Sequence, residues 1–323
     1  MAEFLSKAEQ KPDHPDRKTG YERILNDPPP PWFVDLYPGG DGIGFMHKMA
    51  RHAVTFHDRG QQVLMVSFDN IANVNDRSFA REPWGWKFFR DQSYSHMGIF
   101  ARTKAWYRDR EIIDYMEARA AEGFFSKFDK VVFTGSSMGA FGALVFAPLA
   151  PNANVIAFNP QSTLDARLVP WEERYKFGQV QDWDLPYGDA AQSVSDIGKA
   201  YVIYDHFFDP DRTHAHRLTG PNVILLKSWF SNHFAAPMLR KIDLLKPVML
   251  GGIDGTLDEQ TFYSMFRARR SLPWYMRGLG ERAEAKGHEA LLGPARARFR
   301  KLRRAEKEQQ AEEPADVAES AQP

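Results

Sequence analysis

The chain contains no cysteine, which excludes disulfide bonds, thiolate catalysis and every cysteine-based metal site. Its chemistry must therefore come from serine, histidine, carboxylate or lysine side chains, or from a cofactor. An excess of one charge sign is also lacking, since 42 Lys and Arg residues balance 42 Asp and Glu residues. This balance gives no support to nucleic acid or an anionic membrane as the partner.

Long apolar runs are absent as well. The first twenty residues, MAEFLSKAEQKPDHPDRKTG, lack the apolar core of a signal peptide, and no later window is long and apolar enough to span a bilayer. We therefore expect a cytoplasmic protein without a transmembrane segment. Because 43% of its 323 residues are hydrophobic, the chain can bury one large core or two modest ones, and we favour a single domain with a tail.

Short apolar runs bounded by turn residues alternate with helical patterns along the chain. Strands are predicted in 61–70, 130–135, 154–160, 199–205 and 222–228. A helix is predicted in 104–123, where Trp106, Ile113, Met116 and Ala120 recur at helical spacing and Gly123 ends the pattern. This alternation predicts an α/β fold, with a doubly wound, mainly parallel sheet flanked by helices.

Changes in composition divide the chain into three parts. Residues 1–30 form an N-terminal arm, residues 31–290 form the main domain, and residues 291–323 form a basic helix followed by a disordered acidic tail. Within the main domain, residues 161–198 are polar, aromatic and rich in proline. We expect this segment to be a small cap insertion over the carboxyl ends of the strands.

The sequence GSSMG, at Gly135–Gly139, is a G-x-S-x-G motif between a predicted strand and a predicted helix. Its glycines permit a tight turn that pushes the Ser137 hydroxyl above the sheet edge. Ser137 is the predicted nucleophile, and the Met138 N–H at the helix N-terminus is a predicted oxyanion donor. A second donor is expected from Asn70 or Ile71, which follow an earlier strand.

A nucleophilic serine needs a base, and the base needs an orienting carboxylate. His233 follows the last predicted strand and precedes a helix, so it is the predicted base. Asp205, Asp209 and Asp211 follow the preceding strand, which places serine, aspartate and histidine in the chain order of a hydrolase fold. We favour Asp211 as the acid, with Asp209 as the alternative, although Asp211 could instead cap the helix that follows it.

This elbow motif, with its strand order and histidine loop, resembles the α/β-hydrolase superfamily over about 63–244. The resemblance implies acyl transfer through a serine ester. FNPQSTLD and DPDRTHA resemble, more narrowly, bacterial hydrolase-like proteins associated with cell-surface polysaccharides and glycoproteins, including acetyltransferase-like members of the accessory secretion system. The chain departs from the usual pattern, because no His-Gly oxyanion signature follows VLMVSF.

The predicted function is a serine-dependent acyl hydrolase or acyltransferase that acts on a small-molecule or saccharide ester, without a cofactor or metal. His214 and His216 lie near the candidate aspartates but complete no defined ligand set. The alternative is a non-catalytic hydrolase-fold protein, involved in cell-surface polysaccharide or glycoprotein handling, that binds a partner through the basic segment 296–304. The sequence does not decide between hydrolysis and transfer, because that depends on how the site excludes water.

Overall fold

The computed structural model describes Phe33 and residues 43–60, 62–76, 78 and 81–312. The predicted arm, residues 1–30, and the end of the predicted tail, residues 313–323, lie outside the described residues. The eight strands in this part of the chain are β1 (Ile43–Lys48), β2 (His52–Asp58), β3 (Val63–Phe68), β4 (Ser95–Ala101), β5 (Lys130–Ser136), β6 (Asn154–Phe158), β7 (Ala200–Tyr204) and β8 (Val223–Lys227).

The strands form one sheet in the order β1-β2-β4-β3-β5-β6-β7-β8. β2 runs antiparallel to both of its neighbours, and every pairing from β4 through β8 is parallel. The predicted mainly parallel sheet is therefore confirmed. Because the carboxyl ends of parallel strands meet at one edge, the loops after β3, β5, β6, β7 and β8 are brought together.

Helices cover both faces of the sheet. They are α1 (Ile71–Asn75), α2 (Trp86–Asp91), α3 (Arg110–Ala121), α4 (Met138–Phe146), α5 (Lys176–Gln179), α6 (Ala190–Ser193), α7 (Asp209–Arg217), α8 (Ala235–Lys241), α9 (Leu245–Asp254), α10 (Glu259–Met265), α11 (Pro273–Ala285) and α12 (Leu292–Glu312). Successive strand residues alternate between two apolar clusters: Leu64 and Val66 pack with α3 and α4, whereas Met65 packs with α8, α9 and α10. The central part of the sheet is consequently buried on both faces.

Three strands, β1, β2 and β4, were not predicted from the sequence. β2 and β4 carry buried polar side chains, among them His52, Thr55, His57 and His96, which interrupt their apolar runs. β1 lies at the sheet edge and is largely exposed. Apolar periodicity detects strands buried among apolar neighbours, so it missed these three.

The helix predicted in 104–123 begins later than its apolar spacing indicated. Asp109 caps α3, because its side chain accepts a hydrogen bond from the Glu111 N–H at 3.0 Å. Trp106 therefore lies in the loop before the helix, with a φ of 47°. The loop carries the buried Trp106 indole towards the cap segment.

The C-terminal helix α12 continues to Glu312, into the segment for which we predicted a disordered tail. Alanine, glutamate, lysine and glutamine in this segment all have high helix propensity, which accounts for the difference. Leu292 at its start is buried, so the helix packs against the rest of the chain there. Among the described helices, none combines the length and apolar character that a bilayer crossing requires. The cytoplasmic location stays a prediction.

Candidate active site

Ser137 lies in a tight turn between β5 and α4, at the carboxyl edge of the sheet. Its backbone has φ 55° and ψ −119°, a combination that residues other than glycine rarely adopt. The Ser137 N–H donates to the Phe158 carbonyl at 2.8 Å, which fixes the turn to β6. A Cβ on Gly139 would collide with the Phe68 carbonyl oxygen, and one on Gly135 would collide with the Gly139 backbone. Both glycines are therefore required for this turn.

The structure brings Ser137, His233 and Asp211 into one hydrogen-bonded row. The Ser137 Oγ lies 2.9 Å from His233 Nε2, and His233 Nδ1 lies 2.8 Å from Asp211 Oδ2. A carboxylate can only accept, so the His233 Nδ1–H donates to Asp211 and leaves the Nε2 lone pair facing the serine. Asp211 is fully buried, and Ser137 retains 8% exposure.

Asp211 is the third residue of α7, and its side chain does not cap that helix. The N-cap position is Phe208, which makes no side-chain capping bond, so the capping interpretation of Asp211 was wrong. The Asp211 carboxylate accepts instead from Asn159 Nδ2 at 2.9 Å and from an Arg174 nitrogen at 2.8 Å, in addition to His233. These bonds orient the carboxylate towards the imidazole.

The other two candidate aspartates lie away from the histidine side chain. Asp209 is exposed at the start of α7, where it pairs with Arg212 at 3.0 Å. Asp205 is buried and accepts from the N–H groups of Phe207 at 2.8 Å and Asn232 at 2.7 Å. Burial raises the pKa of Asp205. Asp205 therefore holds the backbone of the loop that carries His233.

Asn159, directly after β6, joins the aspartate to the histidine loop. Its Nδ2 donates to Asp211 and to the Asn232 carbonyl at 3.1 Å, and its Oδ1 accepts from the Ala235 N–H at 2.9 Å. The backbone of Asn159 has a φ of 49°, which asparagine adopts more readily than most residues. The sequence analysis missed this residue; its signal is an Asn-Pro pair that ends a buried strand.

The cap segment, residues 161–198, contributes two polar groups to the site that were not predicted. The Tyr175 hydroxyl lies 3.2 Å from His233 Nε2. Gln161 Oε1 lies 3.3 Å from the Ser137 Oγ and accepts from the Trp106 indole N–H at 3.1 Å. Burial raises the pKa of Tyr175, so its hydroxyl stays protonated at neutral pH. Sequence reasoning placed the cap over the strands but assigned none of its side chains.

A buried ionic network connects the cap to α7. Glu172 accepts from Arg174 at 2.6 Å and from His214 Nε2 at 3.0 Å. Burial alone would raise the pKa of Glu172, but the hydrogen bonds from His214 and Arg174 lower it to about 2. The Ser162 N–H donates to the other His214 nitrogen at 3.1 Å, and burial lowers the His214 pKa. His214 is therefore uncharged at neutral pH, and its role is structural.

His214 and His216 do not lie together as a pair of metal ligands would. His216 lies apart from His214 and contacts the Tyr204 hydroxyl at 3.2 Å. Within the described ranges, no group of three or more histidine, aspartate or glutamate side chains could hold a metal ion.

The predicted oxyanion donors lie at the N-termini of two helices, α4 and α1. Met138 and Ile71 are the first residues of α4 and α1, so their N–H groups have no acceptor within their own helices. The contact of Gly139 with the Phe68 carbonyl brings the start of α4 against the end of β3. The Asn70 N–H, in contrast, donates to the Asn73 side chain at 3.1 Å in a capping box. Asn70 is thus the less suitable donor.

No family model matches the chain, and no curated protein matches it. Several solved structures are similar to it, among them the following three. The capsule O-acetyltransferase of Neisseria meningitidis serogroup A is 13% identical, with a TM-score of 0.44 over 64% of this chain and 93% of that one. The Pyrococcus furiosus esterase Pf2001 is 14% identical, with a TM-score of 0.42 over 68% and 96%. Carboxyl esterase 2 of Tuber melanosporum is 10% identical, with a TM-score of 0.43 over 73% and 89%.

The fold itself follows from the features of this chain. Its mainly parallel eight-stranded sheet has an antiparallel second strand, helices on both faces, and a strand–turn–helix at Ser137. That turn follows a strand at the centre of the sheet, and this arrangement of strand, turn and helix is typical of the α/β-hydrolase fold. The chain has an α/β-hydrolase fold.

Proposed function

We propose that this chain is a serine-dependent acyl hydrolase or acyltransferase in which Ser137 is the nucleophile, His233 the base and Asp211 the orienting acid. The observation that carries the proposal is the row of contacts from Ser137 Oγ to His233 Nε2 at 2.9 Å and from His233 Nδ1 to Asp211 at 2.8 Å. These distances lie within the range at which a base accepts a serine proton and a carboxylate orients the base.

The reaction begins when Ser137 Oγ attacks the ester carbonyl carbon and its proton passes to His233 Nε2. The carbonyl oxygen becomes an oxyanion and accepts hydrogen bonds from the N–H groups of Met138 and Ile71. His233 then gives the proton to the leaving alkoxy oxygen as the carbon–oxygen bond breaks, which leaves an acyl serine. Water or a hydroxyl acceptor attacks this ester by the same steps, again with His233 as the base.

Asp211 fits the orienting role better than Asp209 does. Asp211 is buried and reaches the His233 Nδ1, whereas Asp209 is exposed and paired with Arg212. A buried carboxylate next to Nδ1 stabilises the imidazolium that forms during the reaction, because little water screens the pair. The adjacent Arg174 and Asn159 bonds keep this carboxylate in place.

The substrate in this proposal is a small ester or an acylated saccharide. The motifs FNPQSTLD and DPDRTHA support the saccharide class through the resemblance described above. They also supply parts of the site, since Asn159, Gln161 and Asp211 lie within them and contact one another or the reacting groups. The alternative, a non-catalytic protein that binds through 296–304, uses none of these contacts.

Labelling by a fluorophosphonate tests the proposal, because this reagent reacts with an activated serine. Intact-mass analysis should show one covalent adduct on the wild type and none on Ser137→Ala, and His233→Ala should be labelled far more slowly. Ser136→Ala is the matched control, since Ser136 is the neighbouring serine but ends β5. A folded wild-type protein that stays unlabelled, or labelling that persists in Ser137→Ala, would refute the proposal.

A further inference from the structure

A cleft of about 650 Å³ lies between the loop after β4, the helix α1 and the cap. Three basic side chains, Arg51, Arg102 and Lys104, line it. Asn75 and Gln181 add side-chain amides that can donate hydrogen bonds, so the cleft is rich in donors. Such a lining favours a ligand that carries negative charge.

The positive charge of this cleft is only partly compensated by neighbouring carboxylates. Arg51 forms an ion pair with Asp109 at 3.5 Å and donates a hydrogen bond to Gln181 at 3.2 Å. Neither Arg102 nor Lys104 forms an ion pair with any residue in the part of the chain that the structure describes. The Arg102 guanidinium donates to the Ala50 carbonyl at 3.4 Å, its single side-chain hydrogen bond among the described residues. Two cationic groups are therefore left for an external anion.

The cleft is connected to the candidate nucleophile through Trp106. Lys104 and Ala105 line the cleft and directly precede Trp106 in the chain. The Trp106 ring lies 5.7 Å from the ring of Phe177, a cleft residue. Its indole N–H donates to Gln161 Oε1, which lies 3.3 Å from the Ser137 Oγ. A single indole therefore separates the cleft from the contacts around the serine.

The Lys104 side chain lies against an aromatic ring of the cleft. Its ammonium lies 5.6 Å from the centre of the Phe177 ring, a cation–π contact that holds the side chain on the cleft wall. The Phe177 ring thus contacts both Lys104 and Trp106. An anion bound to Lys104 would lie at the cap side of the candidate site.

We propose that this cleft binds an anionic group of the ester substrate, a phosphate, a sulfate or a carboxylate, through Arg102 and Lys104. The inference rests on the proposed function, because it assigns the cleft to the same substrate that Ser137 attacks. A second basic cleft, of about 510 Å³, is lined by Trp229, Arg267 and Arg270. It has no comparable connection to Ser137 in the described contacts, so it serves as the comparison.

Inorganic pyrophosphate is a suitable probe, and the full chain can be tested by isothermal titration calorimetry. The double variant Arg102→Gln/Lys104→Gln should bind pyrophosphate about tenfold more weakly than the wild type, because two charge contacts are lost. Arg267→Gln/Arg270→Gln removes the same charge from the second cleft and should bind like the wild type. Circular dichroism of each variant verifies that it is folded.

A second measurement asks whether the bound anion belongs to the substrate cleft. Pyrophosphate should slow the labelling of Ser137 by a neutral alkyl fluorophosphonate in the wild type, and it should do so less in Arg102→Gln/Lys104→Gln. This result would support a substrate subsite. Binding that leaves the labelling rate unchanged would show a separate anion site and overturn the inference.

The remaining outcomes separate the inference from the proposed function. Labelling of Ser137 without any pyrophosphate binding overturns the cleft assignment and leaves the proposed function intact. Equal binding by the wild type and Arg102→Gln/Lys104→Gln, or loss of binding in Arg267→Gln/Arg270→Gln, also overturns it. Absence of labelling in pyrophosphate-free buffer refutes the proposed function itself, whatever the calorimetry gives.

Discussion

Acidification should destabilise this protein through a buried histidine, His52, which lies in β2. The side chain is fully buried, its ring stacks on Tyr107 at 5.6 Å, and neither ring nitrogen has a hydrogen-bond partner among the described residues. Burial lowers the pKa of His52 from 6.5 to about 4; Asp109 opposes this effect and Arg51 adds to it. His52 is therefore neutral in the folded protein at neutral pH.

The sign of the effect follows from which state binds the proton first. Above pH 6.5 His52 is neutral in both states, and its contribution to stability is fully present. As the pH falls from 6.5 towards 4, the unfolded chain takes up the proton and the folded chain does not, so stability is lost. At about 1.4 kcal/mol for each pH unit of the pKa difference, the loss is about 2 kcal/mol near pH 5.

Urea unfolding followed by tryptophan fluorescence measures this loss. The free energy of unfolding should be compared for the wild type and His52→Phe at about pH 7.5 and about pH 5. The variant should lose about 2 kcal/mol less than the wild type between the two values. His96 and His214, whose pKa values burial also lowers, contribute the same loss to both proteins, so the difference isolates His52.

Tyr115→Phe is the matched control, because it also alters a ring that carries a polar atom without a partner. Burial raises the pKa of Tyr115 to about 12, outside the range of the experiment. This variant should lose as much stability on acidification as the wild type. Equal pH dependence of His52→Phe and the wild type would refute the reasoning.

Three further outcomes are expected. Asp211→Asn should lower the turnover of an ester by about 10³- to 10⁴-fold, whereas Asp209→Asn, at an exposed ion pair, should retain nearly full activity. Steady-state kinetics of the two variants compare these effects, and the reverse result would assign the acid to Asp209. Gly139→Ala should destabilise the fold by about 1–3 kcal/mol and reduce serine labelling, because its Cβ meets the Phe68 carbonyl; urea unfolding checks this, and wild-type stability would contradict it. Removal of residues 306–323 should change the unfolding free energy by less than about 0.5 kcal/mol, since the Arg304–Glu308 ion pair that it removes is exposed, and a larger drop in thermal stability would show that the tail docks.

The sequence alone determined the central strands and the order of the candidate site residues. Strands β3 and β5 through β7 are buried on both faces, and β8, at the sheet edge, is half-buried. Each one is a short apolar run that periodicity detects. The turn at Ser137 was predictable because glycine is needed locally, on either side of the serine. Local steric requirements and apolar patterning act over a few residues, and a sequence shows them directly.

Tertiary structure alone decided which polar side chains meet. Asp205, Asp209 and Asp211 are close in sequence, yet one holds a loop, one faces solvent and one reaches His233. The cap places Tyr175 beside His233, which no local pattern indicated. Such hydrogen bonds depend on the packing of segments that are distant in sequence; Ser137 and His233, for example, are 96 residues apart. That packing forms only when the sheet and cap assemble.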